Sequence, residues 1–551
     1  MGDTRLSFNL IDEPWILVRT LQGATLELSI ADVFLQANNI ERLANELPTQ
    51  DFAILRVLLA ILLRAVVQDL EGDENPFDVW GELWETGDLP QDAISEYLQT
   101  WHHRFDLLDD KFPFMQVAGL GSGESAGNTK ALMSISDNKP VLFTMHGKEL
   151  LTHLEFDEAA RWLIHVHAFD TGGIKTGVKG DPSANEGKSF GNPVGWAGRL
   201  GGVFFEGKSF RDTLLMNLVL RDRDDEEALL PYEDDLPVWE RLASLPGDEG
   251  RMPSGSADLF TWQSRCVRLV TNSNCITGAI VSKGNSVRAH NLQRFETMTT
   301  WRRNQAQQKR LKLSSVYLPY THSSTRAFWR GINAQIPERN HEKSDAFEAA
   351  AVVRWVGDLA SVEQLDPDTA ITLHATGMEY GVQNTVVSEL IDDQLQMSAF
   401  LVSAKGERAA ALVKSCLEVT DAAVSAYGLF ARRMQLSVGS SSDQASDAAA
   451  KARSEAYFEL GSLFRAWLAA IGEHTDLALA RKRWHEQAGR LLSSLARALV
   501  ERADTKSILG RQIKIQGGKA FVWVSAAGAE QAFRTQLRKD LPYAFDERQT
   551  E

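Results

Sequence analysis

Ser437-Val-Gly-Ser-Ser-Ser-Asp443 is the stretch on which the reading of this 551-residue chain turns. It separates two long segments, near 405–434 and 446–472, where Ala, Leu, Arg and Glu dominate and apolar residues recur at helical spacing. Serine and aspartate accept the free N–H groups that open a helix, so the second segment starts here, with Ser442 or Asp443 as its N-cap. Two more such segments follow near 476–503 and 525–540. Four helices on short loops predict a bundle.

Upstream of about residue 400 the texture differs. Phe8-Asn-Leu-Ile, Trp15-Ile-Leu-Val and Thr25-Leu-Glu-Leu alternate with turn signals, as small strands do. Phe52 to Val67 is the most apolar run, too short for a membrane span; it reads as a buried helix opened by Pro48-Thr49, with Arg56 and Arg64 at its edge. Residues 151–169 and Arg211 to Leu220 look helical, Val267-Arg-Leu-Val-Thr and Ala279-Ile-Val look like strands, and the acidic 223–258 reads as an exposed excursion. A chain this long needs two or three cores.

The formal charge of −16 excludes a protein coated in nucleic acid, so any such contact must come from local basic patches. Three cysteines, Cys266, Cys275 and Cys416, make no disulfide framework and fit a reducing cytoplasm. The opening Met-Gly-Asp-Thr-Arg-Leu-Ser-Phe has no basic and then apolar region, so a cytoplasmic protein with no secretory signal is expected.

Several motifs carry chemical suggestions. From Phe169-Asp-Thr-Gly-Gly-Ile-Lys-Thr-Gly-Val-Lys-Gly180 to Gly207, glycine recurs among Lys175, Lys179, Lys188, Arg199 and Lys208. Glycine admits close backbone approach and the cations suggest an anionic partner; a flexible surface loop is the plainer reading. Gly123-Glu-Ser-Ala-Gly127 matches the nucleophile elbow of α/β hydrolases, but in a loop context rather than between strand and helix. Gly187-Lys188-Ser189 ends like a P-loop, yet Pro182 stands where the first glycine belongs. His165 and His167 alternate as metal ligands on a strand would, but the segment reads as helix and no third ligand follows, so both read as structural. Trp301 to Lys312 holds Arg302, Arg303, Lys309, Arg310 and Lys312 without an acid, flanked by Trp301 and Tyr317; it is either a solvated face or a nucleic-acid contact.

Read in order, Phe8-Asn-Leu-Ile-Asp-Glu-Pro-Trp-Ile-Leu-Val18, Leu47-Pro-Thr-Gln-Asp-Phe-Ala-Ile-Leu-Arg56, Phe112-Pro-Phe-Met-Gln-Val117, Phe169-Asp-Thr-Gly-Gly-Ile-Lys-Thr-Gly177 and Gly207-Lys-Ser-Phe-Arg-Asp-Thr-Leu-Leu-Met-Asn217 resemble one family. It is the CasA-type large subunit of Cascade, the type I-E CRISPR surveillance complex. The resemblance implies an α+β fold: a large mixed α/β domain over 1–399, then a four-helix bundle over 400–551. It also implies a non-catalytic subunit without cofactor or metal. Such a subunit recognises the protospacer-adjacent motif (PAM) of double-stranded target DNA, promotes duplex opening and R-loop formation, and recruits a helicase–nuclease. Its other expected partners are the remaining Cascade subunits and the guide RNA, with no membrane.

Carried over by residue, the family's glycine loop falls on Phe169 to Gly173, with Gly172 and Gly173 approaching the minor groove. Its minor-groove lysine, counted back from Leu318-Pro319, falls on Lys309, with Arg310 and Lys312 as rivals. The duplex-opening wedge falls on Gly377-Met-Glu-Tyr-Gly-Val-Gln-Asn-Thr385, with Gln383 and Asn384 at its tip and Thr385 facing the motif. Phe143, Thr144 and Met145 are expected to touch the guide-RNA 5′ handle and neighbouring subunits. Some relatives carry a central cysteine cluster; here only Cys266 and Cys275 stand in that region, so no zinc is expected. The alternative from a different class is a serine hydrolase using Ser125.

Overall fold

The structure, a computed structural model, describes residues 6–68, 74–120, 126–127, 153–178, 184–222, 234–241, 251–272, 274–337, 346–514 and 521–545. The chain divides into two compact units. The first holds Met1–Phe328, Pro337–Asp366 and Ile371–Gln394; the second holds Trp329–Ile336, Pro367–Ala370 and Leu395–Glu551.

The first unit is organised around the helix Pro48–Val67, which opens on proline because the first helical N–H has no intrahelical acceptor to lose. Nearly every side chain from Thr49 to Val66 is buried, so the helix runs through the core rather than over it. The expected edge position of Arg56 is therefore corrected: it is 2% exposed. Its guanidinium donates to both oxygens of the buried Glu296 carboxylate at 2.8 Å, and Trp196 donates its indole N–H to the same carboxylate at 2.7 Å. A fork-to-fork pair is what makes a buried charge tolerable. Arg64 is half-buried and clasps Glu240 with two bonds of 2.9 Å.

The helices Gln91–Trp101, Phe156–Phe169 and Ser256–Phe260 pack against this helix, and the unit also holds small antiparallel sheets. Thr25–Leu28, Ile16–Thr20 and Ile40–Leu43 form one, and Arg265–Thr271 pairs with Ile276–Lys283 in another. Gly173–Thr176, Lys188–Asn192 and Ala184–Asn185 form a third, so much of the glycine-rich segment is a short sheet rather than a flexible loop. A fourth joins Gly202–Glu206 to the long hairpin Ala370–Tyr380 and Val387–Ser398.

The acidic stretch is not wholly an exposed excursion. Trp239 is buried, donating its indole N–H to the Tyr97 hydroxyl at 2.7 Å. Asp235 is buried because its carboxylate accepts the N–H groups of Ala257 and Asp258, at 3.0 and 2.9 Å, where the helix Ser256–Phe260 begins. Its charge thus serves a helix start.

The second unit contains the helices Glu407–Val438, Ser442–Ala469, Leu477–Glu501 and Ala526–Asp540. The N-cap of the second is Ser441, not Ser442 or Asp443. Its hydroxyl accepts Gln444 N–H at 3.2 Å while the Gln444 side chain accepts Ser441 N–H at 3.0 Å. Only Ser441 stands three residues before a glutamine, so only it can form this reciprocal box. Trp484, Phe464, Tyr427, Phe430 and Phe533 fill the unit's interior. Between the third and fourth helices lie a short helix, Thr505–Leu509, and a two-stranded hairpin, Arg511–Lys514 with Phe521–Val524, which helical spacing did not announce. All three cysteines are buried and free. No helix among the described residues is long and apolar enough to cross a membrane.

Candidate nucleic-acid interface

The helix Phe156–Phe169 ends where its path must turn toward the glycines. His165 and His167 lie inside it, each with a protein partner: His165 Nε2 meets Thr49 Oγ1 at 2.9 Å and His167 Nε2 meets the Met115 carbonyl at 2.8 Å. Burial pushes their pKa values down to about 3 and about 4. Next comes Asp170, buried and bonded to Arg265 and, at 2.6 Å, to Lys175. Burial opposes its ionisation, but Arg265 and Lys175 together hold its carboxyl below the ordinary value. Lys175 is thus a structural cation, and so is Arg199, whose guanidinium is mostly buried against Trp196 and the Val287 carbonyl. Lys188 and Lys208 are exposed, and Lys179 lies outside the described residues.

Gly172 and Gly173 emerge from this anchor. Gly172 N–H donates to the Asn384 carbonyl at 2.7 Å, and the Asn192 amide donates to the Gly173 carbonyl at 3.0 Å. Gly173 has φ of +101°, and a Cβ there would stand 2.9 Å from the Thr385 methyl. Glycine is required at that position on both counts.

Asn384 and Thr385 belong to the tip of the long hairpin. Gly381 N–H donates to the Val386 carbonyl at 2.8 Å and Asn384 N–H to the Gly381 carbonyl at 2.9 Å, closing a tight turn. Gln383 and Asn384 both have left-handed backbones, with φ of 56° and 58°. Residues 382–385 are exposed. Thr385 donates its hydroxyl to the Val382 carbonyl at 3.0 Å, which leaves its methyl toward Gly173. Just before the tip turn, at the end of the first strand, the Tyr380 hydroxyl donates to the Phe169 carbonyl at 2.7 Å, and burial raises its pKa. The structure therefore brings Gly172, Gly173, Asn384 and Thr385 together, with Gln383 beside them.

Lys309 belongs to a different element, the helix Gln305–Leu311, capped by the Asn304 side chain accepting Gln307 N–H at 2.9 Å. Lys309, Arg310 and Lys312 are exposed and form no ion pair among the described residues. The flanking aromatics are not a stacking platform. Trp301 is 1% exposed within a core cluster, and Tyr317 is partly buried against it. The cause is the strand pair Trp301–Arg303 with Tyr317–Pro319, whose alternation turns Trp301 inward and Arg302 outward.

Phe143, Thr144, Met145 and Ser125 lie outside the described residues. Sequence reasoning missed Val382, 82% exposed beside the tip amides, and the exposed Ile174 and Phe190 next to the glycines. A large apolar side chain left in water on a turn was the available signal.

The family description "CRISPR-associated protein Cse1" matches residues 9–495. The CRISPR-associated protein CasA/Cse1 of Thermus thermophilus is 32% identical over 353 residues, which span 62% of this chain and 63% of that protein's length. The crystal structure of Thermobifida fusca Cse1 superposes with a TM-score of 0.87 at 35% identity, covering 98% of this chain and 99% of that one. Cse1 from Acidimicrobium ferrooxidans gives a TM-score of 0.79 at 25% identity over 98% and 99% of the two chains. The chain belongs to the CRISPR-associated Cse1 family.

Proposed function

We propose that this chain is the large, non-catalytic subunit of a type I-E Cascade complex and reads the PAM of duplex DNA from the minor groove. The observation that carries the reading is the junction of Gly172 and Gly173 with the exposed tip at Asn384 and Thr385. A bare backbone suits a narrow groove, and a projecting polar tip next to it suits the first base step to be parted. The minor groove distinguishes bases only coarsely, which fits a reader that tolerates several motifs. Lys309 supplies the groove cation, with Arg310 and Lys312 beside it on an otherwise acidic chain. Gln383 and Asn384 wedge the duplex, and guide–target pairing then reads the remaining sequence. The segment with Phe143, Thr144 and Met145 meets the guide-RNA handle and neighbouring subunits, and the opened complex recruits the helicase–nuclease in the cytoplasm.

A side chain at either glycine disturbs the junction: Gly172 is buried, with a Cβ there 3.0 Å from the Asn192 carbonyl, and a Cβ at Gly173 would stand 2.9 Å from the Thr385 methyl. In Cascade reconstituted with guide RNA, Gly172→Asp is expected to abolish binding of motif-bearing duplex while the subunit still assembles. The carboxylate would press on the Asn192 carbonyl and Asn384, part the loop from the tip, and add a negative charge beside the duplex phosphates. Wild-type binding by this variant would overturn the reading.

A further inference from the structure

We infer that Arg265 and Tyr380 are positioning residues that lock the glycine loop and the hairpin tip into one rigid reader; this rests on the function just proposed. Arg265 is buried on the strand Arg265–Thr271, behind the loop rather than in it. Its guanidinium pairs with the Asp170 carboxylate and donates to the carbonyls of Thr171 at 2.9 Å and Pro193 at 2.7 Å. The same fork reaches the Ser264 carbonyl at 2.8 Å. One side chain thus holds both chain segments that flank Gly172 and Gly173.

Tyr380 does the equivalent from the hairpin. Its hydroxyl bond to the Phe169 carbonyl spans 211 positions and ties the strand end next to the tip turn to the start of the loop. Gly198 leaves room for it, since a Cβ there would lie 2.2 Å from that hydroxyl. The Gly172 to Asn384 bond closes the far end of the same frame. Neither Arg265 nor Tyr380 is exposed for DNA to touch, so both act through the loop and tip. A rigid reader places glycines and wedge in a single docking event, because neither can shift without breaking a bond to the other.

The test compares affinities of reconstituted Cascade for motif-bearing and motif-free duplex at one salt concentration. Tyr380→Phe keeps the ring and removes one donor; Arg265→Lys keeps the charge beside Asp170 but loses the fork. Each variant is expected to lower the preference for the motif roughly five- to tenfold, with motif-free binding unchanged. An unchanged preference in both, while Gly172→Asp abolishes it, would overturn this inference and leave the proposed function standing. If Gly172→Asp also kept the preference, the function itself would fall. Equal weakening on both duplexes, or failure of both variants to assemble, would show a general structural role and likewise overturn it.

Discussion

Arg56 illustrates how much a single residue's environment can hide. Its partner Glu296 lies 240 positions away, so the sequence shows a cation in an apolar helix and nothing to neutralise it. His165 and His167 were more legible: a helical segment without a third ligand left only a structural reading, and each ring has a protein partner. Their burial has a pH signature. An unfolded histidine titrates near 6.5, whereas these hold protons only below about 3 and about 4. As pH falls through 6.5, the unfolded chain gains protons that the folded one refuses, so stability is lost toward acid. Each histidine withdraws about 2 kcal/mol between pH 8 and pH 5. Asp51 and Asp235, raised by burial to about 6, act with the opposite sign and offset part of that loss. His167→Gln, which can still donate to the Met115 carbonyl, is expected to lose about 2 kcal/mol less than wild type over that range in chemical denaturation. Equal losses would refute the assignment.

Among elements, the long helices were readable because their apolar spacing persists for many turns. The hairpin Arg511–Lys514 with Phe521–Val524 was not, since each strand has only four residues amid helical text. The basic run was recognised as cationic, but its aromatic neighbour Trp301 belongs to the core, a fact set by strand pairing rather than composition. The tip hairpin invites a test of its own. Gln383→Ala with Asn384→Ala is expected to slow opening of linear duplex and recover on a substrate already melted beside the motif. Parting a base step costs a few kcal/mol, and a bubble supplies that from outside the protein. The same defect on both substrates would remove the wedge role.

For the molecule as a whole, a net charge of −16 sets the electrostatic background. Its long-range field opposes DNA, so under the proposed function the exposed trio Lys309, Arg310 and Lys312 acts at short range. Lys309→Ala is expected to weaken motif-bearing targets by about 1–3 kcal/mol and motif-free duplex little, measured by titration across salt. Uniform weakening with a salt slope smaller by about one would mark a phosphate contact instead. No change at all would pass the role to Arg310 or Lys312. The overall α+β character was visible in the shift of texture near residue 400, whereas the meeting of Gly172 with Asn384 was not. Glycine content announces a close approach but does not say to what.

If Gln383 and Asn384 form the proposed wedge, their paired left-handed backbones set stability against activity. A left-handed backbone costs a side-chain-bearing residue roughly 1–2 kcal/mol, a penalty that glycine escapes. Folding alone would be better served by glycine at Gln383, and the wedge proposed above gives its long amide a use that offsets the strain. Gln383→Gly is therefore expected to raise the thermal midpoint of the isolated chain while slowing R-loop formation in the assembled complex. A variant that gained stability at no loss of opening would show that the turn carries its amide without benefit.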